Sequence, residues 1–160
     1  MIKKLTIPVD HGNRNMKTTH FLFTTGLSST DRKPAGREDF LQTDGKFYVL
    51  SDKRIPYQRD KTQDERFSIL TRFAIAKELE RTGQVTEEDV VQVSLPIGVP
   101  PKHYAELAER YREYFLGDGK VQELVYNGKT YHTCIRDVAV YPQAYAAMMT
   151  EGEKIRQIPK

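Results

Sequence analysis

The alternation of hydrophobic and polar positions predicts strands that are separated by short polar turns. Residues 5–9 form an apolar, β-prone run, and residues 16–25 form another, with a polar turn at residues 11–15 between them. The dipeptides Asp44-Gly45 and Asn127-Gly128 each separate two further β-prone segments and favour tight hairpin turns. We predict that these hairpins join residues 39–42 to 46–51 and residues 121–126 to 130–135.

Other parts of the chain show the apolar spacing of amphipathic helices. The first helix is predicted to begin after Thr62 as its N-cap, with Glu65 three residues later completing a capping box. Gly83 ends it, because glycine adopts the left-handed conformation that closes many helices. The predicted helices cover residues 62–82, 102–116 and 143–155, the last with Pro142 in its first turn.

Apolar residues without a helical period predict one more buried strand, at residues 89–96. Residues 138–141 are also β-prone and continue the last hairpin strand. Residues 27–38 and 52–61 are rich in polar residues and are predicted loops. This order of elements favours an α/β fold in which a mixed β-sheet has helices on its faces.

The composition narrows the class of protein. A chain of 160 residues suggests one domain. Its 25 basic and 22 acidic residues are interspersed, so the net charge of +3 does not favour direct binding to nucleic acid. No apolar run in the sequence approaches the roughly 18–20 residues that a membrane span requires. Cys134 is the only cysteine, which excludes an intrachain disulfide and fits a reducing, cytoplasmic location.

The residues of the sequence that are best suited to bind a ligand lie in or beside the first turn. Asp10 ends the first apolar run, Gly12 and two asparagines that tolerate a positive φ form the turn, and Lys17 opens the next strand. Backbone N–H groups in such a turn can form an anion-binding concavity, to which Lys17 adds a positive charge. Asp10 can hold a hydrated Mg²⁺ that accompanies a phosphate. A hairpin with these turn residues also needs no ligand, so the residues alone leave both interpretations open.

Four segments of the chain, in order, are residues 9–17, residues 44–49 with the helix at Arg66, residues 91–98 and residues 138–143. Together they resemble the ribonuclease H-like half-domain of the superfamily of actin, heat-shock chaperones and sugar kinases. Within it, the chain looks like a bacterial actin-like protein of the plasmid-partitioning ParM (StbA) type. Residues 9–17, with Asp10 and Lys17, are similar to the first phosphate motif of this superfamily. The segments that follow this motif in the family are similar to residues 44–49 with the helix at Arg66, residues 91–98 and residues 138–143.

This resemblance implies that residues 1–160 are the N-terminal domain of a Mg²⁺-dependent ATPase about twice as long. A second phosphate motif would follow Lys160, so the isolated chain is expected to be inactive and to bind ATP weakly or not at all. Asp10 would hold Mg²⁺ through water, and Gln143 would orient the attacking water. The β- and γ-phosphates would be bound by the turn and by the lysine after it, namely Gly12, Asn13, Arg14, Asn15 and Lys17.

The resemblance also implies partners. Members of this family assemble into filaments whose disassembly is tied to hydrolysis, so we expect self-association in the cytoplasm and a role in plasmid segregation or cytoplasmic organisation. A DNA-binding adaptor is the expected partner, without direct contact to nucleic acid or membrane. Two alternatives remain. One is a small-molecule kinase or chaperone-like ATPase of the same superfamily, and the other is a non-catalytic module that binds a protein through surfaces at Tyr57, Tyr104 and Tyr111.

Overall fold

A computed structural model describes residues 1–35 and 39–143, and it shows a mixed α/β architecture. The two α-helices of this part are α1, Arg66–Thr82, and α2, Tyr104–Leu116. The strands are β1 (Ile2–Thr6), β2 (Asp10–His11), β3 (Asn15–Lys17), β4 (Leu22–Thr24), β5 (Leu27–Thr30), β6 (Phe40–Thr43), β7 (Lys46–Leu50), β8 (Val90–Val99), β9 (Gln122–Tyr126) and β10 (Lys129–Pro142). Short 3-10 helices at Lys61–Gln63 and Pro101–His103 precede α1 and α2.

Strand β8 lies between β1 and β10 in the larger of the two sheets. A seven-stranded sheet has the order β1-β8-β10-β9-β6-β7-β5, in which β1 and β10 both run parallel to β8. The chain continues along β8 beyond β1, because the Ile7 N–H donates to the Ser94 carbonyl at 2.9 Å and the Val9 N–H donates to the Pro96 carbonyl at 3.0 Å. Strand β2 therefore extends the line of β1 and carries a second sheet, β2-β3-β4.

The hydrophobic core lies between one face of the sheet and the two helices. Alternate residues of β8, from Val91 to Val99, are completely buried on this face. His11 of β2 contacts both Thr71 of α1 and Phe115 of α2, so both helices cover the same face. Their wide apolar stripes, which the sequence shows, are explained by this burial. The third predicted helix, residues 143–155, lies outside the described residues except for Gln143.

Both predicted hairpins are confirmed. Asp44 and Gly45 have φ angles of 51° and 78°, and Asn127 and Gly128 have φ angles of 50° and 84°. Two consecutive positive φ values give a two-residue turn whose twist matches that of the paired strands. The predicted end of the first helix is confirmed as well, since Gly83 caps α1 in the left-handed conformation with a φ of 63°.

Two predictions about the first 50 residues are wrong. The segment 16–25 is not one strand but two, β3 and β4, because the chain reverses at Thr18, whose N–H donates to the Phe21 carbonyl at 2.9 Å. The Thr18 hydroxyl also accepts a hydrogen bond from the Phe21 N–H. In addition, the predicted loop at 27–38 begins with strand β5, which is mostly exposed and forms only by pairing with β7.

The predicted start of the first helix is also corrected. Thr62 lies in a 3-10 turn, where Asp60 accepts a hydrogen bond from its N–H at 3.0 Å. The α-helix begins only at Arg66, whose N–H donates to the carboxylate of Asp64 at 2.9 Å. Glu65 makes no capping hydrogen bond with its side chain. Aspartates on either side of the expected cap therefore take the capping role.

Three further features of the structure differ from the sequence-based expectations. Strand β8 extends three residues beyond the predicted end at residue 96, up to Val99. Pro142 is the last residue of β10, opposite Val99, instead of lying inside a helix. Tyr111, assigned to a partner-binding surface in one alternative, is 1% exposed and packs in the core.

Candidate functional site

The two residues with predicted catalytic roles meet at one edge of the sheet. Asp10 follows Val9, which pairs with Ile97 of β8, and Gln143 follows Pro142 at the end of β10. Both residues therefore leave the carboxyl ends of parallel strands that flank β8, where open α/β sheets bind ligands. The Gln143 Nε2 atom donates to Asp10 Oδ1 over 3.5 Å, which is a long hydrogen bond. The predicted proximity of Asp10 and Gln143 is confirmed.

Asp10 has an electrostatic environment that differs from that of a surface carboxylate. Burial raises its pKa, while the hydrogen bond from Gln143 and the positive charges of Lys17 and Lys61 act in the opposite direction. Lys17 lies directly opposite Asp10 in the β2–β3 ladder, so the two side chains leave the same face of the hairpin. Asp10, Lys17 and Gln143 thus form one polar group at the edge of the sheet.

Gly12 shapes the turn by a close contact of the backbone. Its N–H donates to the Asn15 carbonyl at 3.0 Å, and a Cβ atom at position 12 would lie 2.5 Å from that oxygen. The glycine and asparagines of the turn tolerate a positive φ but do not adopt one, since none of them belongs to the positive-φ residues of the described chain. Glycine is required here for space and not for a left-handed conformation.

Thr25, which directly follows β4, donates two hydrogen bonds to carbonyls of the same turn. The Thr25 hydroxyl donates to the Gly12 carbonyl at 2.8 Å, and the Thr25 N–H donates to the Arg14 carbonyl, also at 2.8 Å. Within residues 1–35 and 39–143, no acceptor is found for the N–H groups of Asn13 and Arg14. The carbonyls of Gly12, Arg14 and Asn15 are thus bound internally. Two N–H groups of the turn, by contrast, are available to an anion.

The side chains of the predicted phosphate turn do not all join Asp10. Arg14 and Asn15 are exposed and line a neighbouring surface cleft of about 320 Å³, together with residues of β4 and of the loop after β7. The described residues that line this cleft do not include Asp10, Lys17 or Gln143. The structure therefore separates the predicted site into a group around Asp10 and a basic cleft beside it.

His11, to which we assigned no role from the sequence, is a structural anchor of the site. Its side chain is 1% exposed, its ring centre lies 4.6 Å from that of Phe115, and its Nε2 atom lies 2.7 Å from the Thr71 hydroxyl. The Thr71 hydroxyl donates its own proton to the Phe67 carbonyl, so the hydrogen on His11 is on Nε2. Burial, with a smaller contribution from the charge of Lys61, lowers the pKa of His11 to about 3.

Lys61 is the residue of the site that the sequence did not indicate. It is only 4% exposed, although its position in a polar segment suggested a loop. Its charge interacts with that of Asp10, and burial lowers its pKa. Asp10 and Lys61 are about 50 residues apart in the chain, and no local pattern reports that a long side chain will reach across such a separation.

The donor set around Asp10 fits one kind of metal ion. No group of three or more His, Cys, Asp or Glu side chains that could hold a metal is found in the part of the chain that the structure describes. A site built only from protein ligands is therefore not formed there. One carboxylate is nevertheless sufficient for Mg²⁺, which keeps several of its waters and takes its other ligands from phosphate groups. Asp10 is the residue that would hold such a hydrated ion.

Comparison with known proteins gives the family. A model of the N-terminal domain of actin-like proteins matches residues 8–145. No curated protein sequence matches the chain significantly. None of the helices in the described ranges is long and apolar enough to cross a membrane.

Solved structures with the same fold include three actin homologues. The apo ParM protein of pSK41 has a TM-score of 0.70 and 14% sequence identity, and the match covers 89% of this chain and 50% of that one. An AlfA filament bound to AMPPNP has a TM-score of 0.63 and 14% identity, with coverage of 87% and 54%.

The archaeal actin homologue Ta0583, in complex with ADP, has a TM-score of 0.61 and 17% identity, with coverage of 97% and 50%. The chain thus spans about half the length of these proteins. Because the family model covers most of its residues, the chain belongs to the actin-like proteins, as their N-terminal domain.

Proposed function

We propose that this domain is the nucleotide-binding N-terminal half of a polymerising actin-like ATPase that uses Mg²⁺ and ATP. The observation that carries the proposal is the 3.5 Å contact between Gln143 and Asp10. It joins the ends of two strands beside a turn with unbound N–H groups, in a chain that matches the actin-like family over residues 8–145. Phosphoryl transfer needs positioning and charge neutralisation more than covalent chemistry, and this arrangement supplies both.

Each residue of the site has a role that follows from its chemistry. Asp10 holds a hydrated Mg²⁺, which neutralises charge on the phosphates. The N–H groups of Asn13 and Arg14 and the ammonium group of Lys17 bind phosphate oxygens, while Gly12 keeps the turn tight enough to present them. The side chain of Asn15 lies beside this group and lines the neighbouring cleft.

Gln143 is suited to orient the attacking water. Its Nε2 atom donates to Asp10, and this fixes the amide so that its carbonyl oxygen is left to accept a hydrogen bond from water. An amide does this without a change of protonation state. In this role, Gln143 acts on the water and makes no direct contact with the nucleotide.

The similar structures support the wider role. Their descriptions include a filament bound to AMPPNP, a complex with ADP and a filament of Alp12. We therefore extend the proposal to self-association of the whole protein into filaments in the cytoplasm, with a DNA-binding adaptor, for plasmid segregation or cytoplasmic organisation. No observation favours a small-molecule kinase or a chaperone-like ATPase over this role.

Two variants of the full-length gene product test the proposed roles. Replacing Gln143 with Ala should leave the Kd for Mg²⁺-ATP nearly unchanged and lower kcat by about 10²-fold, the order expected when one transition-state contact is lost. Replacing Asp10 with Ala should weaken Mg²⁺-ATP binding and hydrolysis together, because Asp10 positions the metal already in the ground state. Calorimetric titration and phosphate release give the two quantities.

Asp118→Ala is the control for these variants. Asp118 follows α2 in an exposed turn, and among the described residues its side chain accepts a hydrogen bond only from the nearby Lys120 N–H, so neither quantity should change. Equal losses of binding and turnover in the Asp10 and Gln143 variants would show that the roles are wrongly assigned. No loss in either variant would make the first hairpin a purely structural element.

A further inference from the structure

The backbone around Lys61 is held in place by hydrogen bonds and by an ion pair of the preceding residue. It opens the 3-10 turn before α1, and its N–H donates to the Tyr111 hydroxyl at 3.0 Å. The preceding Asp60 accepts a hydrogen bond from the Thr62 N–H at 3.0 Å and forms an ion pair with Arg110 of α2. The side chain of Lys61 therefore leaves a rigid position, and its 4% exposure shows that it lies inside the molecule.

The ammonium group of Lys61 has charged and aromatic neighbours but no hydrogen-bond acceptor. Its Nζ atom lies 5.6 Å from the centre of the Phe67 ring, a weak cation–π distance. Its charge also acts on Asp10 and on the neutral His11. In the part of the chain that the structure describes, Nζ makes neither a hydrogen bond nor an ion pair. The Nζ atom is not one of the fully buried polar atoms that lack a partner, so it keeps some contact with solvent. A cation that is desolvated over most of its side chain is stabilised when a negatively charged ligand binds it there.

A purely structural role explains these contacts less well. A lysine that served only to neutralise Asp10 would be expected to bond the carboxylate directly, because desolvated ion pairs are stable only with close hydrogen bonds. The hydrogen bond to Asp10 comes from Gln143 instead. Lys61 thus has three donors without an acceptor in the described part of the chain, while its charge acts on Asp10, as expected of a group that binds a ligand shared with that carboxylate.

We propose that Lys61 is a phosphate-binding residue of this cleft, whose ammonium group contacts the terminal phosphate of a bound nucleoside triphosphate. This inference rests on the proposed function. Lys61 is linked to Asp10 through its neighbours. Its Nζ atom lies over the ring of Phe67, whose carbonyl is bonded to Thr71, and Thr71 contacts His11, which follows Asp10 in the chain. Because the proposed water-orienting residue Gln143 is bonded to Asp10, the terminal phosphate is the favoured contact of Lys61. A compact ammonium point charge suits phosphate oxygens, and the buried position strengthens its attraction for them.

The test compares nucleotides that differ in the number of phosphates. In the full-length gene product, Lys61→Met keeps the length and apolar packing of the side chain and removes its charge. We expect its Kd for Mg²⁺-ATP to rise about 30-fold or more, the order for truncating one partner of a buried charge contact, while its Kd for ADP changes far less. Lys61→Arg should recover part of the ATP affinity. Lys53→Met, at an exposed position of the preceding loop, is the matched control and should change neither constant.

A second measurement separates ligand binding from stability. The thermal midpoint of Lys61→Met should not fall, because an uncharged side chain of similar volume tolerates this buried position. A structural role would instead lower the midpoint and weaken ATP and ADP equally, and this result would overturn the inference. In the wild-type protein, an acyl-phosphate derivative of ATP should acylate Lys61, and excess ATP should suppress this labelling.

Failure of this inference and failure of the proposed function give different results. A wild-type protein that binds ATP, with a Lys61→Met variant of unchanged ATP affinity, would remove Lys61 from the site and leave the proposed function intact. A wild-type protein that binds no nucleotide at millimolar concentration would overturn both. Labelling of Lys61 that excess ATP does not suppress would also overturn the role given to Lys61.

Discussion

His11 shows how a single buried side chain makes stability depend on pH. Burial lowers its pKa to about 3 in the folded protein, whereas an unfolded chain has a histidine pKa of about 6.5. Below about pH 6.5 the unfolded state therefore binds a proton that the folded state excludes. As the pH falls from 7 to 5, this group alone should lower the free energy of unfolding by about 2 kcal/mol.

The comparison with His11→Leu isolates this contribution. Leucine fills similar space against Phe115 and carries no proton, and the Thr71 hydroxyl keeps its bond to the Phe67 carbonyl. Urea unfolding at pH 7, 6 and 5 should show a smaller loss of stability in the variant than in the wild type, by about 2 kcal/mol over the range. Parallel pH profiles for the two proteins would contradict a neutral, buried His11.

At the scale of residues, the sequence indicated a site residue only where its own neighbours in the chain mark it, as at the end of a strand or in a turn. Asp10 and Gln143 end two strands, so their meeting followed from the parallel sheet that the pattern of elements predicts. Gly12 was correctly singled out for the wrong reason, since the contact with the Asn15 carbonyl arises only when the turn has closed. Lys61 carried no signal, because its burial depends on Tyr111 and Phe67, which pack against it from two helices.

At the scale of elements, a hairpin turn could be predicted from the sequence where two adjacent residues favour its positive φ angles. Asp44-Gly45 and Asn127-Gly128 set positive φ angles by themselves, and the hairpins around them followed. The reversal between β3 and β4 contains no glycine or proline and is formed by tertiary contacts with α1. Strand β5 likewise lacks a hydrophobic pattern and is stabilised by its pairing with β7. Such elements are dictated by the fold more than by local propensity.

Glu78 of α1 holds the turn between β3 and β4 in place. Its carboxylate is 7% exposed and accepts hydrogen bonds from the Thr18 hydroxyl at 2.7 Å, the His20 N–H at 3.0 Å and the His20 ring at 2.7 Å. Replacing Glu78 with Ala should lower the free energy of unfolding by about 2–3 kcal/mol, because it leaves these donors without their acceptor. Amides of β3 and β4 should also exchange their hydrogens faster.

Glu80→Ala is the matched control for this prediction. Glu80 lies two residues further along α1, and its carboxylate makes no hydrogen bond with any residue in the described ranges. Its carbonyl, which accepts the Gly83 N–H, is kept in the variant, so the change should alter stability by less than about 0.5 kcal/mol. Chemical unfolding gives both values, and hydrogen exchange localises the effect. Similar losses in the two variants would mean that the contact with Glu78 does not anchor the hairpin.

At the scale of the whole molecule, the proposed function assigns to this domain one side of a nucleotide site. The chain spans 50% of the ParM structure and 54% of the AlfA structure to which it is similar. Asp10, Lys17 and Gln143 gather at the edge of the sheet where β1 and β10 end. In the proposed function, a nucleotide would contact this domain mainly through its phosphates, and for this reason we expect residues 1–160 alone to bind ATP weakly or not at all.

The proposed chemistry of Gln143 gives a prediction for the assembled protein. In filaments of the full-length gene product, Gln143→Ala should slow hydrolysis without preventing ATP binding, so subunits stay longer in the ATP-bound state. Because disassembly follows hydrolysis in the family that the chain resembles, the variant should form filaments that persist longer than those of the wild type. Light scattering after dilution measures their lifetime, and phosphate release in the same samples measures hydrolysis.

The two measurements together decide the role of Gln143. Filament lifetime should increase in proportion to the fall in the hydrolysis rate, whereas Asp10→Ala should reduce filament formation itself, because it weakens the binding of Mg²⁺-ATP. Asp118→Ala should leave both lifetime and hydrolysis unchanged. Filaments of Gln143→Ala that disassemble at the wild-type rate despite slow hydrolysis would separate disassembly from this site, and a wild-type hydrolysis rate in that variant would remove Gln143 from the chemistry.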